Sequence, residues 1–105
     1  MSYRRTLLIC VDCSDEELRT QINSAILRIG YRVQYSVFIV VGTRVLLEEL
    51  HRDLSRYAQQ LTAHIVVIDL GSPSRSVQRM TEYGTPYGSN RSAVESAQIP
   101  DIWLF

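Results

Sequence analysis

Arg32-Val33-Gln34-Tyr35-Ser36-Val37-Phe38-Ile39-Val40-Val41 is the stretch on which the fold turns. Its first half alternates polar and apolar residues, as a strand with one solvated face does. Its second half is wholly apolar, as in a strand covered on both faces. Read as one long strand, the segment belongs to a three-stranded parallel sheet. Read as two strands and a turn, it belongs to a split β-α-β arrangement. No Gly, Pro, Asn or Asp lies between positions 31 and 41. The usual turn residues are therefore missing, and the pattern alone leaves both topologies open.

The flanks are easier to read. Thr6 to Val11 is a continuous apolar run that suits a central strand and stops at Asp12. Ser14-Asp15-Glu16-Glu17 then opens a helix, with Ser14 and Glu17 spaced as a capping box and acids at the positive end of the helix dipole. Leu18, Ile22, Ala25, Ile26 and Ile29 form its apolar stripe, and Gly30 is expected to stop it in a left-handed conformation. Gly42 ends the quoted stretch. Thr43 is placed to cap a second helix, whose stripe is Leu47, Leu50, Leu54, Tyr57 and Leu61. His64 to Leu70 is another strand, stopped by Gly71-Ser72-Pro73. The order of elements places both helices over one face of the sheet.

Residues 1–71 thus form a core and 72–105 a C-terminal extension of the same domain. The extension is rich in Ser, Arg, Gly, Gln and Tyr; Val77 to Tyr83 is expected to be a short edge strand. The apolar end, Ile99 to Phe105, is expected to be covered by its own domain or by a partner.

With 105 residues the chain builds a single small core, so a site is expected on a surface, a cleft or a dimer seam rather than in an enclosed pocket. No apolar run approaches the ~18 residues that span a bilayer. Only five strongly apolar residues precede Asp12, so no signal peptide is expected and the protein is placed in the cytoplasm. The net charge is zero, which argues against indiscriminate polyanion binding, but all 11 basic residues are arginine. Arginine forks onto phosphate oxygens and stays charged when partly buried, so a few clustered ones suffice. Cys10 and Cys13 spell a Cys-x-x-Cys, but on an extended strand they point to opposite faces and suit buried thiols better than a disulfide.

Asp12 is the most suggestive acid, because ligands of open α/β sheets sit where strands end and helices begin. One carboxylate does not hold a catalytic metal, since magnesium takes several oxygen ligands. Two copies meeting at a two-fold axis would supply two carboxylates to one ion, whose bound water could attack a phosphodiester. The alternative is that Asp12 only helps to cap the first helix. Arg32, Gln34, Ser36 and Phe38 alternate on one side of their segment. There Arg32 and Gln34 can bond phosphates while Phe38 packs or stacks; an ordinary half-exposed strand shows the same spacing. The chain has no Ser/His/Asp or Cys/His constellation, no phosphate-cradling Gly-rich loop and no basic run.

Val11-Asp12-Cys13-Ser14-Asp15, Gly30 eighteen positions after Asp12, and Tyr31-Arg32-Val33-Gln34-Tyr35-Ser36-Val37-Phe38 together resemble the CRISPR-associated protein 2 family. That family is the small partner of the integrase in spacer acquisition. The similarity runs from Tyr3 to about Gly71 and fades in the tail. It implies an α+β, ferredoxin-like βαββαβ sandwich with an extra C-terminal strand that crosses to the partner's sheet, a role for Val77 to Tyr83. It also implies a hairpin within residues 31–41 and a homodimer around the Asp-bearing strand ends. The implied function is a dimeric adaptor that bridges integrase dimers and clamps double-stranded DNA. Some members are metal-dependent endonucleases acting on RNA or DNA.

By this resemblance Asp12 falls on the family's catalytic, metal-binding aspartate, with one Mg2+ shared across the dimer axis. Arg19, Arg32, Ser36 and Phe38 fall on positions tied to nucleic-acid binding. The chain departs from the family at Val11, where Tyr is frequent, at Glu17 and Leu18, where arginines occur, and at Ile39, where Glu is common. Fewer basic residues on the first helix and no extra acid favour the adaptor over the endonuclease. A virulence-associated protein D-like ribonuclease toxin, from a related family, is the third reading.

Overall fold

A computed structural model describes residues 3–85 and Tyr87. Along the chain run β1 (Arg5–Cys13), α1 (Glu16–Leu27), β2 (Gly30–Gln34), β3 (Val37–Gly42), α2 (Arg44–Tyr57), β4 (Ala63–Gly71) and α3 (Pro73–Arg79). The strands form one antiparallel sheet in the order β2-β3-β1-β4. The quoted stretch is therefore a hairpin, in an α+β fold. Its register is Arg32 opposite Phe38, then Gln34 opposite Val37, so Val33 is an extra residue on β2. That bulge supplies local twist, and the turn at Tyr35 and Ser36 closes without a left-handed residue: among the described residues no non-glycine has positive φ. A turn of this kind needs none of the residues whose absence hid it.

Alternation along β1 divides the molecule. Ile9, Val11 and Cys13 face the helices and join Ile22 and Ile26 of α1, Phe38 and Val40 of β3, and Leu50 and Leu54 of α2 in the core. The intervening Leu8, Cys10 and Asp12 take the opposite face. On that side α3 approaches the sheet, where Thr6, Leu8, Ile39, Ser76 and Met80 line a shared cavity. Val66, Val67 and Ile68 of the edge strand β4 are left substantially exposed. No helix among the described residues is long and apolar enough to cross a membrane.

Four local expectations are corrected. Asp15, not Ser14, caps α1: its carboxylate accepts the N–H of Leu18 at 3.0 Å. Ser14 instead donates its backbone N–H to the carbonyl of Thr62. Gly30 does not end the helix in a left-handed conformation, because α1 already stops at Leu27 with Arg28 as a right-handed cap. What demands glycine there is the neighbouring strand, since a Cβ would run into the carbonyl oxygen of Ile39 and the side chain of Val40. Leu61 lies outside the stripe of α2, which ends at Tyr57, and is fully exposed.

The fourth correction concerns Val77 to Tyr83. Positions 77–79 form the last turn of α3, and 80–83 take no strand pairing. Pro73 starts this helix and the Ser76 hydroxyl donates to the carbonyl of Ser72 at 2.9 Å. A segment that takes no strand pairing satisfies its backbone internally, as a helix. The apolar end, Ile99 to Phe105, lies outside the described residues.

Candidate nucleic-acid interface

The C-terminal end of β1 gathers most of the singled-out residues. Asp12 is exposed there and stands directly across from the exposed His64 of β4. On the other side of β1, the N–H of Val11 donates to the carbonyl of Ser36 at 2.9 Å, which holds the hairpin turn beside Asp12. Because α1 begins immediately after the strand, Arg19 returns over the same end. Its Nη1 donates to the Cys13 carbonyl at 3.3 Å, and its guanidinium lies 5.8 Å from the ring centroid of Tyr35.

A chain of contacts continues from Tyr35. Its ring meets that of Tyr87 edge to face, with centroids 6.4 Å apart and planes at 70°. Arg32 lies 5.7 Å from the Tyr87 centroid and 5.3 Å from that of Phe38. Two cations thus flank two exposed tyrosines. Each guanidinium is held by ring quadrupoles, at about 0.5–1 kcal/mol per exposed contact, so less freedom is lost when a phosphate binds.

The structure brings Asp12, Arg19, Arg32 and Ser36 to this end of the sheet and its hairpin. Phe38 is the exception. It is 0% exposed in the core and has no face to offer a base; its ring packs under Arg32 instead. Gln34 is exposed near the turn. Sequence reasoning missed Tyr35, His64 and Tyr87. Tyr35 was hidden because no residue type marks where the hairpin turns, and His64 gains its place only through register. Tyr87 carries no sequence signal linking it to Arg32.

Taken alone, the described residues do not assemble a metal centre. No group of three or more His, Cys, Asp or Glu side chains converges among the described residues, and Asp12 and His64 offer one carboxylate and one imidazole. Magnesium takes oxygen ligands and retains waters, so a single chain fits it only as one side of a symmetric pair. Cys10 and Cys13 are free thiols. They point to opposite faces of β1, and the Cys13 sulfur contacts the carbonyl of Asp15 at 3.3 Å.

The resolved shifts in acidity lie elsewhere. The backbone N–H of Gly71, followed by Arg5, holds the Asp69 carboxyl below its usual range. Burial raises Glu82. Burial, and then the charge of Glu82, push Tyr31 up to about 12. Of these groups, Glu82 lines a cavity with Gln34, Tyr35 and Tyr87.

The family model for CRISPR associated protein Cas2 matches residues 5–77, from the start of β1 into α3. No curated protein matches the chain. Among solved structures, the crystal structure of a hypothetical protein, TT1823 from Thermus thermophilus, superposes with a TM-score of 0.66. The two share 21% identity over 80% of this chain and 95% of that one. At that identity the likeness shows a common fold.

Proposed function

Because the chain belongs to the CRISPR associated protein Cas2 family, we propose that it is a dimeric adaptor which bridges integrase dimers and clamps duplex DNA during spacer acquisition. The observation that carries this reading is the fixing of Arg19 and Arg32 on aromatic rings at the end of the sheet that bears Asp12. Duplex binding rests on neutralising phosphates, and pre-oriented guanidiniums are suited to that. A second copy would double the set. The exposed Val66 and Ile68, with Leu8 and Cys10 on the same face of the sheet, offer it an apolar seat.

The second reading, a metal-dependent endonuclease, is favoured by the exposure of Asp12 at the strand end. In a symmetric pair the two Asp12 carboxylates would hold magnesium. The ion, when bound, would lower the pKa of a water molecule and make it a nucleophile toward phosphodiesters. Ser36, beside the strand end, and Arg19 would orient the phosphate.

Half-site integration of a labelled duplex by the complex with the integrase, at two salt concentrations, separates the readings. Asp12→Asn should leave integration nearly intact, while Arg19→Ala with Arg32→Ala should lose much of it. Each lost phosphate contact lowers the salt slope by about one, and two arginines in two subunits remove up to about four. If Asp12→Asn stops integration while the folded arginine variant works normally, the metal site is the function and the adaptor reading is wrong.

A further inference from the structure

Clamping a duplex uses the two arginines and leaves the tyrosines between them without a task beyond support. We infer that Tyr35 and Tyr87 form a stacking platform for an unpaired nucleotide. This rests on the nucleic-acid reading above and adds to it a pair of side chains that contacts bases.

Tyr35 occupies a hairpin turn, a place that ordinarily suits small polar residues, yet it carries a phenol ring and is 55% exposed. Tyr87 is 44% exposed and lies beyond the stretch that matches the family. Held edge to face, the two rings do not stack on each other, and although Arg19 and Arg32 each lie over one of them, both rings stay substantially exposed, which leaves surface for a third planar group. The order along the surface is Arg19, Tyr35, Tyr87, Arg32. A single strand presents the matching alternation, with bases for the rings and phosphates for the guanidiniums. In a duplex the bases are stacked on one another, and only the phosphates are offered to this surface.

The test compares fluorescence anisotropy of oligo-dT, oligo-U, an abasic oligomer of equal length and a blunt duplex. The wild-type protein should bind oligo-dT or oligo-U about tenfold tighter than the abasic strand, the scale of one stacked base. Whichever sugar binds tighter identifies the natural strand. Tyr35→Ala with Tyr87→Ala should lose most of that preference, and Tyr35→Trp should keep it. Equal binding of the abasic and base-bearing strands by the wild-type protein overturns the platform, and this arm needs no variant to fold. So does a tyrosine double variant that discriminates as well as wild type. Loss of the platform is distinguishable from failure of the adaptor reading, because duplex binding and its dependence on Arg19 and Arg32 are read separately.

Discussion

The carbonyl of Ser36 accepts the backbone N–H of Val11 at 2.9 Å, just past the last β1–β3 pair, Cys10 opposite Val37. This contact extends the sheet's bonding by one step and seats a hairpin turn beside the only strand that carries Asp12. The turn, the strand end and the start of α1 are tied together, because Arg19 bonds the Cys13 carbonyl and lies over Tyr35. Arg19, Ser36 and Asp12 share one corner for this reason.

The burial of Phe38 separates packing from binding. Phe38→Ala should cost about 3–5 kcal/mol of stability, the range for removing a buried aromatic ring, measured by urea denaturation. A variant of full stability that nonetheless binds nucleic acid poorly would contradict the core position.

Gly30 is required by a neighbour rather than by a turn. Gly30→Ala puts a methyl group against the Ile39 carbonyl and 2.6 Å from a Val40 methyl. Backbone on the adjacent strand gives way poorly, so a loss of about 1–3 kcal/mol is expected. An unchanged denaturation midpoint would refute the close approach.

The two candidate caps of α1 have different expected costs. Asp15→Ala should lose about 1 kcal/mol, since it strands the Leu18 N–H. Ser14→Ala should stay within about 0.5 kcal/mol, the range of ordinary surface changes. The reverse order in thermal or chemical denaturation would restore Ser14 as the cap.

Asp69 makes stability depend on acid. Its folded-state pKa is lowered, first by the Gly71 N–H and then by Arg5. The contribution is therefore present above the ordinary carboxylate value near 3.9 and is lost as pH falls through the lower folded value. Asp69→Asn can still accept from Gly71 but gives up the exposed ion pair with Arg5, so the deficit at neutral pH should be about 0.2–1 kcal/mol. Urea titrations at pH 7 and pH 3 should show that deficit shrinking in acid; a deficit that grows in acid would reverse the assigned sign.

The sequence alone determined the periodic elements and the place of Asp12. Apolar runs and three- or four-residue stripes report which side of a local element is buried, and that information is local. The end of the run from Thr6 to Val11 is enough to put Asp12 at a strand end. Val11 to Asp15, Gly30 at its spacing from Asp12 and the string from Tyr31 to Phe38 together pointed to the family that the chain belongs to.

What the tertiary structure alone decided depends on pairing. The resemblance implied a hairpin in the quoted stretch, but its closure through a bulge at Val33 and antiparallel neighbours is announced by no residue type in the turn. Alternation put Phe38 on the side of Arg32 but did not say that this side faces the core. Positions 77–79 became helical, with no strand pairing for them among the described residues. Tyr87 met Arg32 and Tyr35 from more than fifty positions away. Contacts of that separation are set by which strands register and which faces pack, and residue periodicity carries no record of either.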